Sequence, residues 1–204
     1  MLLDEAALKE ALKEFTGDVE QIPPMYSALK HQGVRLYELA RQGKVVEREP
    51  RTVHISEIKL GAVTADSFEL TVACSKGTYI RTLVEDIAKA IGGCAHVAEL
   101  RRTGVGKLNE GDMITLSTLE EAGEGEALDA YLQPIDQALG AWPEIALTAD
   151  SAYYLQNGQP VQVPAAPTTG LLRLYDDQQQ FLGVGEILSD GRVAPRRLFV
   201  KNRA

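Results

Sequence analysis

The sequence predicts an α+β fold in which a mixed or antiparallel sheet is flanked by helices and followed by a small β-barrel. Two patterns support this prediction. Apolar and polar residues alternate within 67–75, as in a half-buried strand, and apolar residues then recur at helical spacing within 80–91. Beyond residue 142, three short strand patterns are separated by polar turns, which is typical of a compact barrel or sandwich. The predicted domains are therefore 1–142 and 143–204.

The first predicted element is a helix from Asp4 to Phe15. Asp4 is of a residue type that caps helices, and Leu8, Leu12 and Phe15 lie on one side of the helix. Gly17 ends the helical pattern. We expect this helix to be one of those that flank the sheet.

A segment of about 21–48 combines basic and aromatic side chains. Its candidates for contact with a substrate are Tyr26, Lys30, His31 and Arg35. Such a mixture can hold looped RNA, because cations pair with phosphates and aromatic rings stack on bases. The same residues also fit an ordinary surface hairpin followed by a short helix, and composition alone favours this second interpretation.

Two strands and a helix follow in the middle of the chain. The strands are predicted at 51–60 and 67–75, and the helix within 80–91, where Gly92-Gly93 ends it. A further strand is predicted at 95–102, near the first sheet.

Tyr79 and Arg81 stand where the strand pattern meets the helical one. If the backbone stays extended through Arg81, both side chains project from one face. A phenol ring can stack on a nucleobase, and a guanidinium pairs with an anion through its fork of donors, so the pair suits recognition of a base beside a carboxylate. The alternative is a partly buried ring next to a surface cation.

The C-terminal part is predicted to form a small β structure. Its elements are a helix at 152–156 and strands at 170–175, 181–188 and 193–201. Arg196 and Arg197 lie in the last strand pattern and are candidates for contact with phosphate groups. The alternative is that these arginines only keep the domain soluble.

Composition is that of a folded protein, with 204 residues, 45% of them hydrophobic and 25% charged. No apolar run approaches the roughly 20 residues needed to cross a bilayer, and the first residues lack the pattern of a signal peptide. We therefore expect a cytoplasmic protein with no membrane partner. Cys74 and Cys94 have neither metal-ligand nor disulfide spacing, so they are predicted to be buried, reduced thiols, and no metal is expected.

The net charge of −8 does not exclude RNA as a partner, because the charges are unevenly distributed. Six basic and three acidic residues lie within 30–51, and the same numbers lie within 76–107. Five basic residues and one acidic residue lie within 189–204, whereas 110–129 holds seven acidic residues and no basic one. Electrostatic forces act over about 8 to 10 Å at physiological salt, so a locally basic surface can bind RNA on an acidic protein.

Three stretches of the sequence resemble the bacterial tRNA pseudouridine synthases that modify the uridine of the TΨC loop. These stretches are Ile-Pro-Pro-Met-Tyr-Ser-Ala-Leu-Lys at 22–30, Ser-Lys-Gly-Thr-Tyr-Ile-Arg-Thr at 75–82 and Gly-Cys-Ala-His-Val-Ala-Glu-Leu-Arg-Arg at 93–102. Their order and separation also match that family, and the likeness continues at 193–197 with Val-Ala-Pro-Arg-Arg. Nearly the whole chain is covered by the resemblance.

The resemblance implies isomerisation of uridine to pseudouridine in the T stem-loop of tRNA, without cofactor or metal, by an enzyme that is a monomer when complete. Tyr79 would stack on the flipped base, Arg81 would pair with a nucleophilic aspartate, and Leu100 would line the base pocket. The segment of about 21–48 would be the RNA-binding thumb of the family, and 143–204 would be a PUA-like RNA-binding barrel. A core position is an equally good interpretation of Leu100.

The sequence departs from the family in one respect, since it lacks the aspartate motif Gly-x-x-Asp-Pro-x-Ala-Thr-Gly. The chain therefore resembles the second part of the enzyme, and we expect the isolated polypeptide to be inactive. Two alternatives stay open: a noncatalytic RNA-binding or RNA-folding module, and an interaction module whose acidic run at 110–129 meets a basic partner. Strands absent from the sheet would expose its edge, which predicts self-association or marginal stability unless another chain covers that edge.

Overall fold

The computed structural model describes residues 3–199, and the chain divides into two compact units, 1–100 and 101–204. Each unit contains its own sheet and its own apolar core. The domain boundary predicted at 142/143 stays a prediction, because compactness alone does not delimit a functional domain. Within 3–199, no helix combines the length and hydrophobicity that a membrane crossing requires.

The first unit is an antiparallel sheet with two helices packed on it. Its elements are α1 (Glu5–Glu14), β1 (Gly17–Gln21), β2 (Lys30–His31), β3 (Val34–Arg35), α2 (Leu36–Arg41), β4 (Arg51–Val63), β5 (Phe68–Cys74) and α3 (Ile80–Ala90). Strand β4 lies between β1 and β5, while β2 and β3 form a separate hairpin. The buried core joins helices α1 and α3 to the sheet, and its members are Leu8, Leu12, Ile55, Leu83 and Ile87. The predicted sheet with flanking helices is confirmed in this unit.

Helix α1 starts where the sequence predicts. The Asp4 carboxylate accepts hydrogen bonds from the backbone N–H groups of Ala6 at 2.9 Å and Ala7 at 3.4 Å. These bonds satisfy donors that a helix N-terminus otherwise leaves without a partner. Leu8 and Leu12 are buried, so the predicted apolar stripe is the face that packs on the sheet.

Strand β1 is not predicted from the sequence. Val19 is its only strongly apolar residue, so no alternation can be recognised. The strand pairs with β4 along its whole length, from Gly17 opposite Ile55 to Gln21 opposite Arg51. Pairing with a long central strand, and not a pattern of its own, gives β1 its conformation.

The strand predicted at 95–102 is wrong. Residues 94–103 form neither strand nor helix. Ala95 and Val97 are half-buried between exposed neighbours, so the alternation is real, but no strand of the described sheets pairs with them. Alternation shows which side chains a segment buries, and it does not supply the backbone partner that a strand requires.

Strand β5 lies at the edge of the first unit's sheet, since β4 is its only neighbour among the described strands. The outer backbone groups of an edge strand can pair with another chain. We expect the native chain to self-associate as its concentration rises, and Thr71→Lys on an exposed position of β5 to reduce that association. Sedimentation velocity over a concentration series measures the association of the native chain and of the Thr71→Lys variant. Thr168→Lys in an exposed loop is the matched control, and a native chain that stays monomeric throughout contradicts the prediction.

The second unit is built on a four-stranded sheet. Its elements are β6 (Gly104–Val105), β7 (Leu108–Asn109), a 3₁₀ turn (Glu110–Asp112), α4 (Leu116–Ala122), α5 (Glu126–Asp129), a second 3₁₀ turn (Ile135–Leu139), β8 (Glu144–Ala146), α6 (Ala149–Gln156), β9 (Leu171–Tyr175), β10 (Phe181–Ile187) and β11 (Val193–Leu198). The sheet order is β11-β10-β9-β8, with β8 parallel to β9 and the other pairs antiparallel. The three predicted strands are confirmed as β9, β10 and β11, although the predicted end at 201 lies outside the described residues.

The sheet of the second unit is open among the described residues. Strands β8 and β11 form its edges, and one isolated bridge between Val161 and Val193 continues beyond β11. Helix α6 packs its Leu155 into the same core as Leu172 and Leu174 of β9. The described architecture is therefore mixed α+β with antiparallel sheets, and the closed barrel expected from the sequence is not seen in it.

Gly183 occupies a position in β10 that only glycine fits. Its φ is +137°, and the register of β10 on β9 shifts between Phe181 and Gly183. A Cβ atom at this position would lie 2.2 Å from the carbonyl oxygen of Arg197 on β11. The close approach of the two backbones therefore depends on the missing side chain.

A polar network surrounds Tyr175 in the second unit. The Tyr175 hydroxyl donates to Asp136 Oδ2 at 2.5 Å and accepts from Arg173 Nη1 at 2.8 Å. Arg173 also donates to the carbonyl of Trp142 at 3.0 Å and to Glu144 Oε2 at 3.2 Å. Burial, followed by the hydrogen bond to Asp136, raises the pKa of Tyr175 above its ordinary value of 10.0.

Replacing Tyr175 by phenylalanine should lower the free energy of unfolding by about 1 to 2 kcal/mol, because Asp136 and Arg173 each lose a partner. The folded state favours the protonated phenol, so this stabilisation is complete below the ordinary tyrosine pKa and is lost as the pH rises through the raised one. Urea unfolding at neutral pH and at increasing alkaline pH measures both effects. Tyr153→Phe on the exposed side of α6 is the control, and an unchanged alkaline loss in Tyr175→Phe contradicts the assignment.

Cys74 and Cys94 are free thiols, and both are exposed. The prediction that they are buried is wrong. Cys74 is the last residue of the edge strand β5, and Cys94 lies in the coil after α3, so neither faces the core.

Candidate functional site

Tyr79 and Arg81 lie at the N-terminal end of α3. Tyr79 is the N-cap residue, with extended dihedral angles of φ −97° and ψ 103°, and Ile80 begins the helix. The backbone does not stay extended through Arg81, so the condition for a shared strand face is not met: the helix whose Leu83 packs into the core already includes Arg81. Residues two positions apart at a helix start do not share a face as they would on a strand. Tyr79 is half-buried, and Arg81 is exposed.

The turn that precedes Tyr79 is fixed to the sheet. The Ser75 N–H donates to the His54 carbonyl at 2.7 Å, and Ser75 Oγ accepts from the His54 N–H at 3.0 Å. Thr78 Oγ1 donates to the Ser75 carbonyl at 2.9 Å. His54 Nδ1 also lies 2.7 Å from Asp18 Oδ1 on β1. Strand β4 therefore holds the turn that leads into the helix, and the contact between His54 and Asp18 links β4 to β1 at the same place.

The side chain of Gln21, at the end of β1, binds the backbone of Tyr79. Gln21 Oε1 accepts from the Tyr79 N–H at 3.0 Å, and Gln21 Nε2 donates to the Tyr79 carbonyl at 3.4 Å. The Gln21 residue is only 2% exposed. Its role could not be predicted from the sequence, because a glutamine between Glu20 and Ile22 belongs to no recognisable pattern.

Arg81 is held by the segment that follows Gln21. Its Nη2 donates to the carbonyl of Tyr26 at 2.8 Å. This bond uses one of the five N–H donors of a guanidinium, so the group keeps capacity for an anion. Tyr79 and Arg81 are thus brought together not by a shared strand face but by residues 21–26, which contact both.

The segment after Tyr26 folds as a hairpin and a short helix. Strands β2 and β3 pair Lys30 with Arg35 and His31 with Val34. Leu36, the first residue of α2, is 3% exposed and anchors the hairpin. The hairpin and the short helix are therefore confirmed as structure, and contact of this segment with RNA stays a prediction.

The candidate substrate-binding residues of the hairpin lie largely at the surface. Tyr26 is 58% exposed, Lys30 and Arg35 are exposed, and His31 is half-buried. The Arg35 guanidinium carbon lies 6.0 Å from the centre of the Tyr37 ring, which is within the range of a cation–π contact. A cationic and aromatic surface is therefore present on this segment.

The remaining predicted site residues lie elsewhere on the chain. Leu100 is 65% exposed in the coil at the end of the first unit, which excludes the alternative that it is a core residue. Arg196 and Arg197 are exposed on β11 of the second unit. Arg196 Nε lies 3.7 Å from Glu186 Oε2 of the neighbouring strand, a distance that leaves it available for another anion.

The start of α3 has the electrostatics of an anion-binding position. The unpaired N–H groups of a helix N-terminus carry a partial positive charge. The Arg81 guanidinium adds a full positive charge within the first turn, and no acidic residue lies in that turn. A carboxylate or phosphate beside Arg81 would therefore be stabilised.

Solved structures with a similar fold place the chain in a structural class. The crystal structure of a Cbf5-Nop10-Gar1 complex is similar with a TM-score of 0.73 at 23% identity, and the match covers 97% of this chain and 63% of that chain. A structure of an H/ACA RNP bound to a substrate RNA containing 2'-deoxyuridine has a TM-score of 0.73 at 20% identity and covers 100% of this chain and 63% of that one. These matches show the fold alone, a mixed α+β fold similar to that of Cbf5.

Sequence families define the chain more closely. Residues 2–80 match the TruB family pseudouridylate synthase (N terminal domain). Residues 81–140 match the tRNA pseudouridylate synthase B C-terminal domain, and 143–199 match Pseudouridine synthase II TruB, C-terminal. The chain belongs to the TruB family of pseudouridine synthases.

Curated relatives agree with this family. The tRNA pseudouridine synthase B of Stutzerimonas stutzeri (strain A1501) is 55% identical over 194 residues, which is 94% of this chain and 64% of the relative. That of Nitrosococcus oceani is 53% identical over 198 residues, covering 96% of this chain and 64% of the relative. The family resemblance is confirmed, and the chain spans just under two thirds of the length of these relatives.

Proposed function

We propose that these residues form the RNA-binding and base-binding part of a tRNA pseudouridine synthase that acts on the T stem-loop. The observation that carries this proposal is the arrangement at the start of α3, where Tyr79 and Arg81 are both held by residues 21–26 in a chain of the TruB family. The reaction breaks the bond between the base and C1′ of the ribose and forms a bond from C1′ to C5. It needs neither a metal nor a redox cofactor.

Each site residue has a distinct task in this reaction. Arg81 pairs with the catalytic carboxylate, keeps it ionised and aims it at the sugar, with help from the positive end of α3. Tyr79 stacks on the uracil once the base has flipped out of the RNA loop, and Leu100 lines the pocket that receives this base. The carboxylate itself belongs to the family's aspartate motif, which these 204 residues do not contain.

Binding of the tRNA uses cationic and aromatic side chains of both units. Tyr26, Lys30, His31 and Arg35 contact the loop, with the cations on phosphates and the exposed ring on a base. The region 143–204 acts as a PUA-like RNA-binding domain in which Arg196 and Arg197 contact phosphates. The complete enzyme works as a cytoplasmic monomer.

A gain-of-function experiment tests this proposal. The isolated chain and a fusion, in which the N-terminal part of the Stutzerimonas stutzeri relative precedes it, are each incubated with T stem-loop RNA labelled with tritium at C5 of uridine. Formation of the C5–C1′ bond releases the tritium. The fusion should release it and the isolated chain should not. Stoichiometric release by the isolated chain would overturn its proposed inactivity, and a folded, RNA-binding fusion without release would contradict the assigned reaction.

Removing two cations from the hairpin should weaken RNA binding. Replacing Lys30 and Arg35 together by alanine should lower the affinity about 10-fold near physiological salt and reduce the slope of log K against log salt by roughly 2. Fluorescence anisotropy of a labelled T stem-loop over a salt series measures both quantities. Lys9→Ala with Lys59→Ala, two exposed lysines of the same unit, is the charge-matched control. An unchanged slope in the hairpin variant contradicts the proposed contacts.

A second candidate function is RNA binding without catalysis. It is favoured by one observation, since the described residues present a cationic hairpin and the exposed Arg196 and Arg197. The same assays separate the two candidates. Salt-dependent binding by the isolated chain, together with an RNA-binding fusion that releases no tritium, would favour the noncatalytic function.

A further inference from the structure

Gln21 is an unusual residue at the edge of the candidate site, because its polar side chain is almost completely buried. At 2% exposure, an amide without partners would be costly to bury. Both polar atoms of the amide are instead satisfied by a single residue, Tyr79, which lies 58 positions further along the chain. The amide therefore behaves like a strand neighbour that offers one donor and one acceptor to the Tyr79 backbone.

The backbone of Tyr79 needs such a partner. Its N–H group lies before the first turn of α3 and has no acceptor within the helix, and the Tyr79 side chain makes no capping hydrogen bond. Its carbonyl accepts from the Leu83 N–H at 3.0 Å and from Gln21 as well. Gln21 thus fixes the peptide groups on both sides of the Tyr79 Cα, and those groups set the direction in which the ring leaves the backbone.

Gln21 also links this contact to Arg81. It ends β1 and begins the segment that runs to Tyr26, whose carbonyl accepts from Arg81. The turn before Tyr79 is bonded to His54 of β4. Strand β4 also pairs with β1, and Arg51 lies opposite Gln21 in that pair. One buried side chain therefore connects the central sheet with the first residue of the site.

We propose that Gln21 is a positioning residue, which orients the Tyr79 ring for stacking on the substrate base without touching the RNA itself. The role of the ring rests on the proposed function. The contact between Gln21 and the Tyr79 backbone is independent of it, so the two can fail separately.

The test uses the full 204-residue chain, Gln21→Met, Tyr79→Ala and the double variant. Amide hydrogen exchange, measured residue by residue, should rise about 10-fold or more at Tyr79 in Gln21→Met while the β1–β4 amides stay protected. Affinity for unmodified T stem-loop RNA should fall about 10-fold in each single variant, and no further in the double variant. Gln156→Met, an exposed glutamine on α6, is the matched control. Gln21→Leu, which has a similar size and also removes both polar atoms of the amide, provides the same cycle where Gln21→Met does not fold.

The outcomes distinguish a positioning role from a merely structural one. Additive losses of RNA affinity in the double variant would overturn the proposal. They would show that Gln21 supports RNA binding by a route that does not depend on the Tyr79 ring, as a general structural defect would. Unchanged exchange at Tyr79 in Gln21→Met would overturn it as well. A native chain that does not bind the RNA would count against the proposed function, and the exchange measurement would still decide for or against the Gln21 contact.

Discussion

Replacing Arg81 by alanine should lower the rate of pseudouridine formation by the fused enzyme about 100- to 1,000-fold. Arg81 is exposed at the positive end of α3, and one of its donors is occupied by the Tyr26 carbonyl. Its remaining donors would hold the catalytic carboxylate in its ionised form and in one orientation. The loss should therefore appear mainly in kcat, because the carboxylate acts on the sugar after the RNA is bound.

Two further variants sharpen this prediction. Arg81→Lys keeps the charge and loses the planar fork, so its rate should fall between those of the native and alanine forms. Lys9→Ala removes an exposed cation of the same unit that is paired with Glu5, and it should leave the rate unchanged. Tritium release under single-turnover conditions, with RNA affinity measured in parallel, provides the comparison. A native rate in Arg81→Ala, or a loss explained by weaker RNA binding alone, would remove Arg81 from the proposed catalytic role.

Substituting alanine for Gly183 should lower the free energy of unfolding of the second unit by about 3 kcal/mol. The new Cβ would lie 2.2 Å from the Arg197 carbonyl oxygen and 2.8 Å from the Leu198 Cα, and both are backbone atoms. The strand pair must therefore separate to admit it. The φ of +137° adds strain for any residue with a side chain.

Gly191 supplies the matched control for this substitution. It also has a positive φ, +81°, but a Cβ there would meet no atom within 4 Å. Gly191→Ala should therefore cost only the backbone strain, about 1 kcal/mol. Chemical denaturation of both variants separates steric conflict from strain, and equal losses at the two positions would show that the approach of β10 and β11 is not the cause.

The sequence predicts the elements whose own residues carry a pattern. Helix α1 has a capping residue and an apolar stripe, and the strand predicted at 67–75 alternates clearly. Strands β1 and β8 could not be predicted, because they are short and contain few apolar residues. They form by pairing with the longer strands β4 and β9. The error at 95–102 has the same origin, since alternation was present there and the pairing partner was not.

The candidate site was predicted in its members but not in its geometry. Tyr79 and Arg81 could be recognised in their motif, and the helix within 80–91 in its apolar spacing, but the shared strand face of the two side chains is not formed, because Arg81 already belongs to α3. The contact of Gln21 with Tyr79 spans 58 positions, and no local pattern reports an interaction of that range. Long-range hydrogen bonds of buried side chains are visible only once the fold brings the partners together.

The two free cysteines give the protein a practical use in future spectroscopy. Cys74 precedes the turn into α3 and Cys94 follows the end of that helix, and both thiols are open to solvent. Fluorophores or spin labels attached at these positions would bracket the helix that begins beside Tyr79 and Arg81. They would report movement of that helix when RNA arrives, with no engineered cysteine needed.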